Sequence, residues 1–146
     1  MAFVISIDPG REKCGLLLAD IENQTVLDGR IVRNFAVINL IVDWQQKYSV
    51  ELLLLGNGTN SNYWHSELSS SQPLPVTYVE ESGTTLRARK RYFEIIDIGF
   101  PFSLLPRSML LPPKNLDSFA ALVILEDYLN KEIKWIGEIC LRIWPE

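Results

Sequence analysis

The stretch Leu52-Leu53-Leu54-Leu55 constrains the fold of this chain more than any other part of it. It is apolar throughout after Glu51, and Gly56-Asn57-Gly58-Thr59 stops it. A strand without a polar face has to be covered on both sides, as central strands are in sheets flanked by helices. The segment before it, Phe35 to Tyr48, spaces Val37, Leu40, Ile41 and Trp44 at helical intervals, with Asp43, Gln45, Gln46 and Lys47 toward its outer end. A helix leading into a buried strand predicts a right-handed crossover and a parallel pairing.

The first thirty-odd residues have a different texture. Phe3 to Ile7 is an apolar, largely β-branched run that ends in Asp8-Pro9-Gly10, a turn sequence. Gly15 to Ala19 and Thr25 to Val32 are two further runs, and Asp28-Gly29 marks a bulge or a tight bend in the third. Short connections predict that these three form an antiparallel meander. Further on, Asn60 to Ser71 reads as a weak helix or a loop, and Pro75 to Glu80 as a strand. Thr84 or Thr85 can cap a helix that runs through Phe93. Residues 97 to 114, with four prolines, read as loop. Asn115 or Asp117 can cap an apolar helix from Phe119 to Leu129. From Lys131 onward the pattern is open: Ile133, Ile136, Ile139 and Ile143 suit a helix, and Ile139 to Trp144 equally suits a strand. The expected fold class is α/β, a mixed five-stranded sheet of three antiparallel and then two parallel strands flanked by helices. That is the plan of the ribonuclease H-like fold.

Composition sets the outer limits. The 146 residues, 47% of them hydrophobic with a net charge of −4, suit one domain spanning 1–146. A chain of this length buries roughly 70% of its unfolded surface, enough to fold without disulfide or metal staples. No apolar run approaches the ~20 residues that span a bilayer. The start lacks a basic leader, and Cys14 and Cys140 have no zinc or redox spacing. The expectation is a soluble cytoplasmic domain with reduced thiols and no membrane partner.

Three acids stand at the ends of expected elements. Asp8 ends the first strand, Glu80 and Glu81 end the last one before the basic helix, and Asp117 opens the apolar helix. Each has a structural explanation by itself: a turn residue, strand-end charges, a helix cap. As a set they are expected to meet, because parallel strands bring their carboxyl ends to one edge of a sheet. Side chains alternate along a strand, so Glu80 and Glu81 cannot both turn inward, and Glu81 is the one expected to do so.

The residues that carry these features resemble a known family. Ile5-Ser-Ile-Asp8-Pro-Gly10-Arg-Glu-Lys-Cys-Gly15 looks like the opening motif of the YqgF/RuvX family, a branch of the RuvC-like ribonuclease H superfamily. Pro75-Val-Thr-Tyr-Val-Glu80-Glu81-Ser-Gly-Thr84-Thr85-Leu-Arg-Ala88 is similar to its strand, Asp-Glu-Arg, Thr-Thr and Ala segment. Leu116-Asp117-Ser118-Phe-Ala120-Ala121 looks like its Asp-Ser-x-Ala-Ala helix. The resemblance implies a metal-dependent nuclease acting on structured RNA, in maturation of the 5′ end of precursor ribosomal RNA, or on branched DNA, as a Holliday junction resolvase. It implies that Asp8, Glu81 and Asp117 are catalytic carboxylates holding Mg²⁺ or Mn²⁺. Carboxylate oxygens are hard ligands suited to those ions, and two such ions ~4 Å apart can serve phosphodiester cleavage. Ser82 stands where the family has Arg, and Gly56-Asn57-Gly58 replaces its Gly-Leu-Pro.

Arg87, Arg89, Lys90 and Arg91 are clustered on the helix after Glu81. Glu94 is the main acid at helical spacing, so the sequence reads either as a solvated face or as a phosphate-binding face formed by Arg87, Lys90 and Arg91, with Arg89 turned elsewhere. His65 sits in a polar stretch without nearby metal ligands and is expected to face solvent. Trp44, Trp64, Trp135 and Trp144 are packing residues by type, and Trp64 in its polar surroundings can alternatively stack on a base. Gly56 to Thr59 lacks the Lys-Ser/Thr of a phosphate loop. Two other functions compete: a non-catalytic domain of the same fold that binds nucleic acid or protein, and a fragment of an actin-like or sugar-kinase-like ATPase. The latter needs a second domain for which the chain has no room.

Overall fold

The structure, a computed structural model, describes residues 2–80, 83–96, 104–106, 109–110 and 115–145. The sheet contains β1 (Phe3–Asp8), β2 (Lys13–Asp20), β3 (Thr25–Arg33), β4 (Val50–Gly56), β5 (Val76–Val79), β6 (Lys134–Trp135) and β7 (Ile139–Trp144). Its order is β5-β4-β1-β2-β3-β6, and β7 also pairs with β3. β1, β2 and β3 form the antiparallel meander, β4 runs parallel to β1, and β5 runs parallel to β4. These five strands have the order and directions expected of a ribonuclease H-like fold.

Among the described residues, the two faces are covered by the α-helices α1 (Val37–Lys47), α2 (Ser61–Ser71), α3 (Thr84–Ile95) and α4 (Asp117–Leu129). Strand alternation divides the core. Phe3, Ile5, Ile7, Leu16, Leu18, Leu53 and Leu55 pack with α1 and α2 through Val37, Ile41, Trp44, Trp64 and Leu68. Val4, Leu17, Ala19, Leu54 and Val79 pack with α3 and α4 through Ala88 and the run Phe119–Leu125. Leu53, Leu54 and Leu55 are fully buried and serve both cores, which is why β4 has no polar face. α4 lies across the middle of the sheet and is buried from Ser118 to Glu126. Ser6 Oγ donates to the Ala121 carbonyl at 2.7 Å and anchors this helix on β1.

Several expectations change in detail. The tail is not helical: β6 and β7 add two strands beside β3, extending the expected five. The free edge of β3 decides this. The N–H groups of Ile136 and Gly137 both donate to the Val26 carbonyl, and Ile133, Trp135, Ile139 and Leu141 join the α4-side core. The 60–71 segment is a helix, held by buried Trp64 and Leu68. The irregularity expected at Asp28-Gly29 is a bulge at Leu27, between the pairs Leu18↔Asp28 and Ala19↔Val26. Thr84 begins α3 and Gly83 precedes it as cap, while Asp117 lies within the first turn of α4 rather than capping it. Most of the loop expected over 97–114 lies outside the described residues. Among the described residues, no helix is long and apolar enough to cross a membrane.

α3 is docked on α4 by charge. Arg91 Nε and Nη2 donate to Glu126 Oε1 and Oε2, both at 2.9 Å, and Nη2 also reaches the Ile133 carbonyl at 3.3 Å. The Ile133 N–H donates to Glu126 Oε2 at 2.9 Å, which closes the turn after α4. Burial raises the Glu126 carboxyl above the ordinary carboxylate range, against the lowering by Arg91 and the Ile133 N–H. Arg91→Ala is therefore expected to cost about 3 kcal/mol at neutral pH, because it strands a buried carboxylate. With its folded pKa raised, Glu126 favours the native state below the unfolded carboxylate range and loses that contribution as pH rises. The deficit of Arg91→Ala should accordingly shrink as pH falls through and below the ordinary carboxylate range, where Glu126 becomes protonated in both states. Denaturant titrations of both proteins at several pH values measure it.

Candidate functional site

Asp8 ends β1 on the side that faces α4. Val4 on the same strand packs in the α4-side core and Ser6 bonds to Ala121, so alternation gives Asp8 the same side. Asp117 lies one helical turn before Ala121. The link between the two acids is Gly15, the residue paired with Asp8 across the hairpin. A Cβ on Gly15 would stand 1.8 Å from the Asp117 carbonyl oxygen and 2.9 Å from the Ser118 nitrogen. Only a residue without a side chain lets the start of α4 come down onto β2 beside the end of β1.

The electrostatics agree with that placement. The Cys14 thiol is pushed up to about 12, first by burial and then by the negative charges of Asp8 and Asp117, against a lowering by a hydrogen bond with the Gly10 backbone. Cys14 is thus a neutral thiol buried on the α1 side of the sheet, opposite the two carboxylates but within reach of their field. Both cysteines are free.

Lys13, which the sequence reading passed over, completes this corner. Its Nζ lies 3.1 Å from Asp117 Oδ2 and donates to Asn115 Oδ1 at 2.6 Å. The Lys13 side chain is 29% exposed, and its ammonium bridges the first residue of β2 to the entry of α4. The available signal was its position two residues before Gly15, hence on the same side of β2. The turn that presents it is pinned from the residue after β3, where the Asn34 side-chain amide donates to the carbonyls of Gly10 and Arg11.

The third acid is expected on β5. Ile7 pairs with Leu55, and Leu55 with Tyr78, so Val79 stands level with Asp8 across β4. Two strand spacings separate them, about 9–10 Å between backbones. Val79 is buried on the α4 side and Glu80 is exposed. Glu81 and Ser82 lie outside the described residues. Among the described residues, no group of three or more His, Cys, Asp or Glu side chains forms a metal site.

The basic helix corrects the expectation that its cations have few acidic partners. Arg87 Nη1 donates to Asp127 Oδ2 at 2.8 Å and Nη2 to Asp127 Oδ1, while Arg91 is held by Glu126 with Glu132 and Glu94 nearby. These acids come mainly from α4 and the turn after it, so helical spacing on α3 did not reveal them. Arg87 and Arg91 do share a face, but that face meets α4. Arg89 points elsewhere and donates to the Leu110 carbonyl at 2.9 Å. Lys90 is exposed. Trp64 is 2% exposed in the core, which removes it as a base-stacking ring. His65 stacks on Tyr78 at 4.8 Å and is partly covered rather than open to solvent. Gly56 to Thr59 turns the chain into α2, and the Asn57 N–H bonds to the Val79 carbonyl.

No protein-family model matches the chain, and no curated protein matches it. Among solved structures, it is similar to T. thermophilus RuvC in complex with a Holliday junction substrate, at 12% identity and a TM-score of 0.48, over 89% of this chain and 96% of that one.

Proposed function

We propose that this chain is a divalent-metal-dependent nuclease of the YqgF/RuvX type, working in the cytoplasm on structured RNA or branched DNA. The observation that carries this reading is the contact of Gly15 with the Asp117 backbone, which sets Asp117 beside Asp8 at the carboxyl end of β1. The residues present fit a hard divalent ion. Asp8 and Asp117 supply hard carboxylate oxygens at one edge of the sheet. Glu81 is the third carboxylate in this reading, two residues past the inward-facing Val79. When bound, Mg²⁺ or Mn²⁺ would supply activation of the attacking water and stabilisation of the leaving oxygen.

The chain's own residues do the positioning. Strand pairing fixes Asp8, and the first turn of α4 fixes Asp117, so neither needs ordering when substrate arrives. Cys14 stays protonated at neutral pH and is no nucleophile. Arg87 and Arg91 hold α3 on α4 and contribute to substrate binding through that geometry. Lys90, exposed on the same helix, is the residue of the cluster left to meet phosphate.

A cleavage panel tests the reading. The full chain is incubated with single-stranded, hairpin and duplex RNA and with four-way DNA junctions, in Mg²⁺, in Mn²⁺ and in chelator. Cleavage is expected only with metal, and adding the ion back should restore it. Binding without cleavage on every substrate and either metal would instead establish the non-catalytic domain.

A further inference from the structure

We propose that Lys13 is an internal counter-ion that competes with the divalent cation for Asp117 and so holds metal affinity down in the empty enzyme. The inference rests on the metal reading of the site given above. The Lys13 ammonium is 3.1 Å from Asp117 Oδ2 and 2.6 Å from Asn115 Oδ1. An ammonium and a divalent ion cannot share one carboxylate oxygen at contact distance without strong repulsion, because both are desolvated on the sides that face each other. Loading the metal on either oxygen of Asp117 is therefore opposed for as long as Lys13 holds Oδ2.

The surroundings allow Lys13 to move away. The side chain is partly exposed and its stem is unbranched. Asn115 keeps an acceptor for the ammonium after the carboxylate is taken. Nucleic acid would supply a better acceptor, since a phosphate oxygen is anionic and takes a charge-assisted hydrogen bond from an ammonium. Phosphate binding and metal binding then favour each other, and by linkage the coupling is reciprocal. The enzyme without substrate binds metal weakly, and the enzyme with substrate binds it tightly.

The test is Mn²⁺ binding, measured by calorimetry on the full chain without nucleic acid. Lys13→Met is expected to bind Mn²⁺ about tenfold more tightly than wild type, the effect of removing a nearby, partly screened positive charge. Lys13→Arg, which keeps the charge, should restore wild-type affinity. A purely structural role for Lys13 predicts the opposite, weaker binding in Lys13→Met. If Lys13→Met does not fold, Lys13→Gln removes the charge while keeping a donor for Asn115, and the same tightening is expected. Equal or weaker Mn²⁺ affinity in the neutral variants overturns the inference and leaves the metal reading standing, because wild type still binds. Absence of Mn²⁺ binding in wild type and neutral variants alike overturns the metal reading and the inference with it.

Discussion

Asp8→Asn is expected to lower metal-dependent cleavage by at least about a thousandfold, or ~4 kcal/mol of transition-state stabilisation. The substitution nearly preserves shape and removes one negative charge. The Asp8 backbone is held by pairing with Gly15, so the strand end should stay in place. What changes is the donor set: a neutral amide oxygen replaces an anionic one where a hard cation is to be held. Asp117→Asn should lose cleavage to a similar degree, but it also removes the charge that Lys13 faces at 3.1 Å. Asp8→Asn is therefore the cleaner measurement, read as initial rates at saturating Mg²⁺ with a thermal melt as the folding control. Glu80→Gln makes the contrast: Glu80 is exposed, and its rate should match wild type. A folded Asp8→Asn protein cleaving at the wild-type rate would remove Asp8 from the reaction.

The order of the first five strands was legible because each has its own local pattern. The Leu52–Leu55 run can only be a strand covered on both faces, and the short turns from Asp8 to Thr25 permit little besides a meander. The positions of Asp8 at the end of β1 and of Asp117 at the start of α4 were legible for the same reason. The tail was not. Ile133, Ile136, Ile139 and Ile143 fit both periods, and what decides between them is the unpaired edge of β3, a tertiary fact. The basic helix misled for a related reason. Helical spacing reveals partners on the same helix, whereas Asp127 and Glu126 come from α4, which the fold alone brings near Arg87 and Arg91. Trp64, a packing residue by type, kept a base-stacking alternative only because its neighbours in sequence are polar. On a helix those neighbours point away while the indole reaches the core.

Gly15→Ala is expected to cost more than ~4 kcal/mol, a loss confined to a few severe mechanisms. The new Cβ would stand 1.8 Å from the Asp117 carbonyl oxygen and 2.2 Å from its carbonyl carbon. Both are backbone atoms, so no rotamer change relieves the clash, and either α4 lifts or β2 bends. Neither is easily moved. α4 is buried from Ser118 to Glu126, and β2 is paired along its length with β1 and β3. At roughly 3–4 °C per kcal/mol for a chain of this size, the melting temperature should fall by more than ~12 °C. The same displacement carries Asp117 away from Asp8, so any folded fraction should also lose Mn²⁺ affinity. Thermal melts and Mn²⁺ titration of one preparation read both effects. A variant that melts within a few degrees of wild type would show that α4 does not rest on Gly15, and the juxtaposition of the two carboxylates would lose its structural basis.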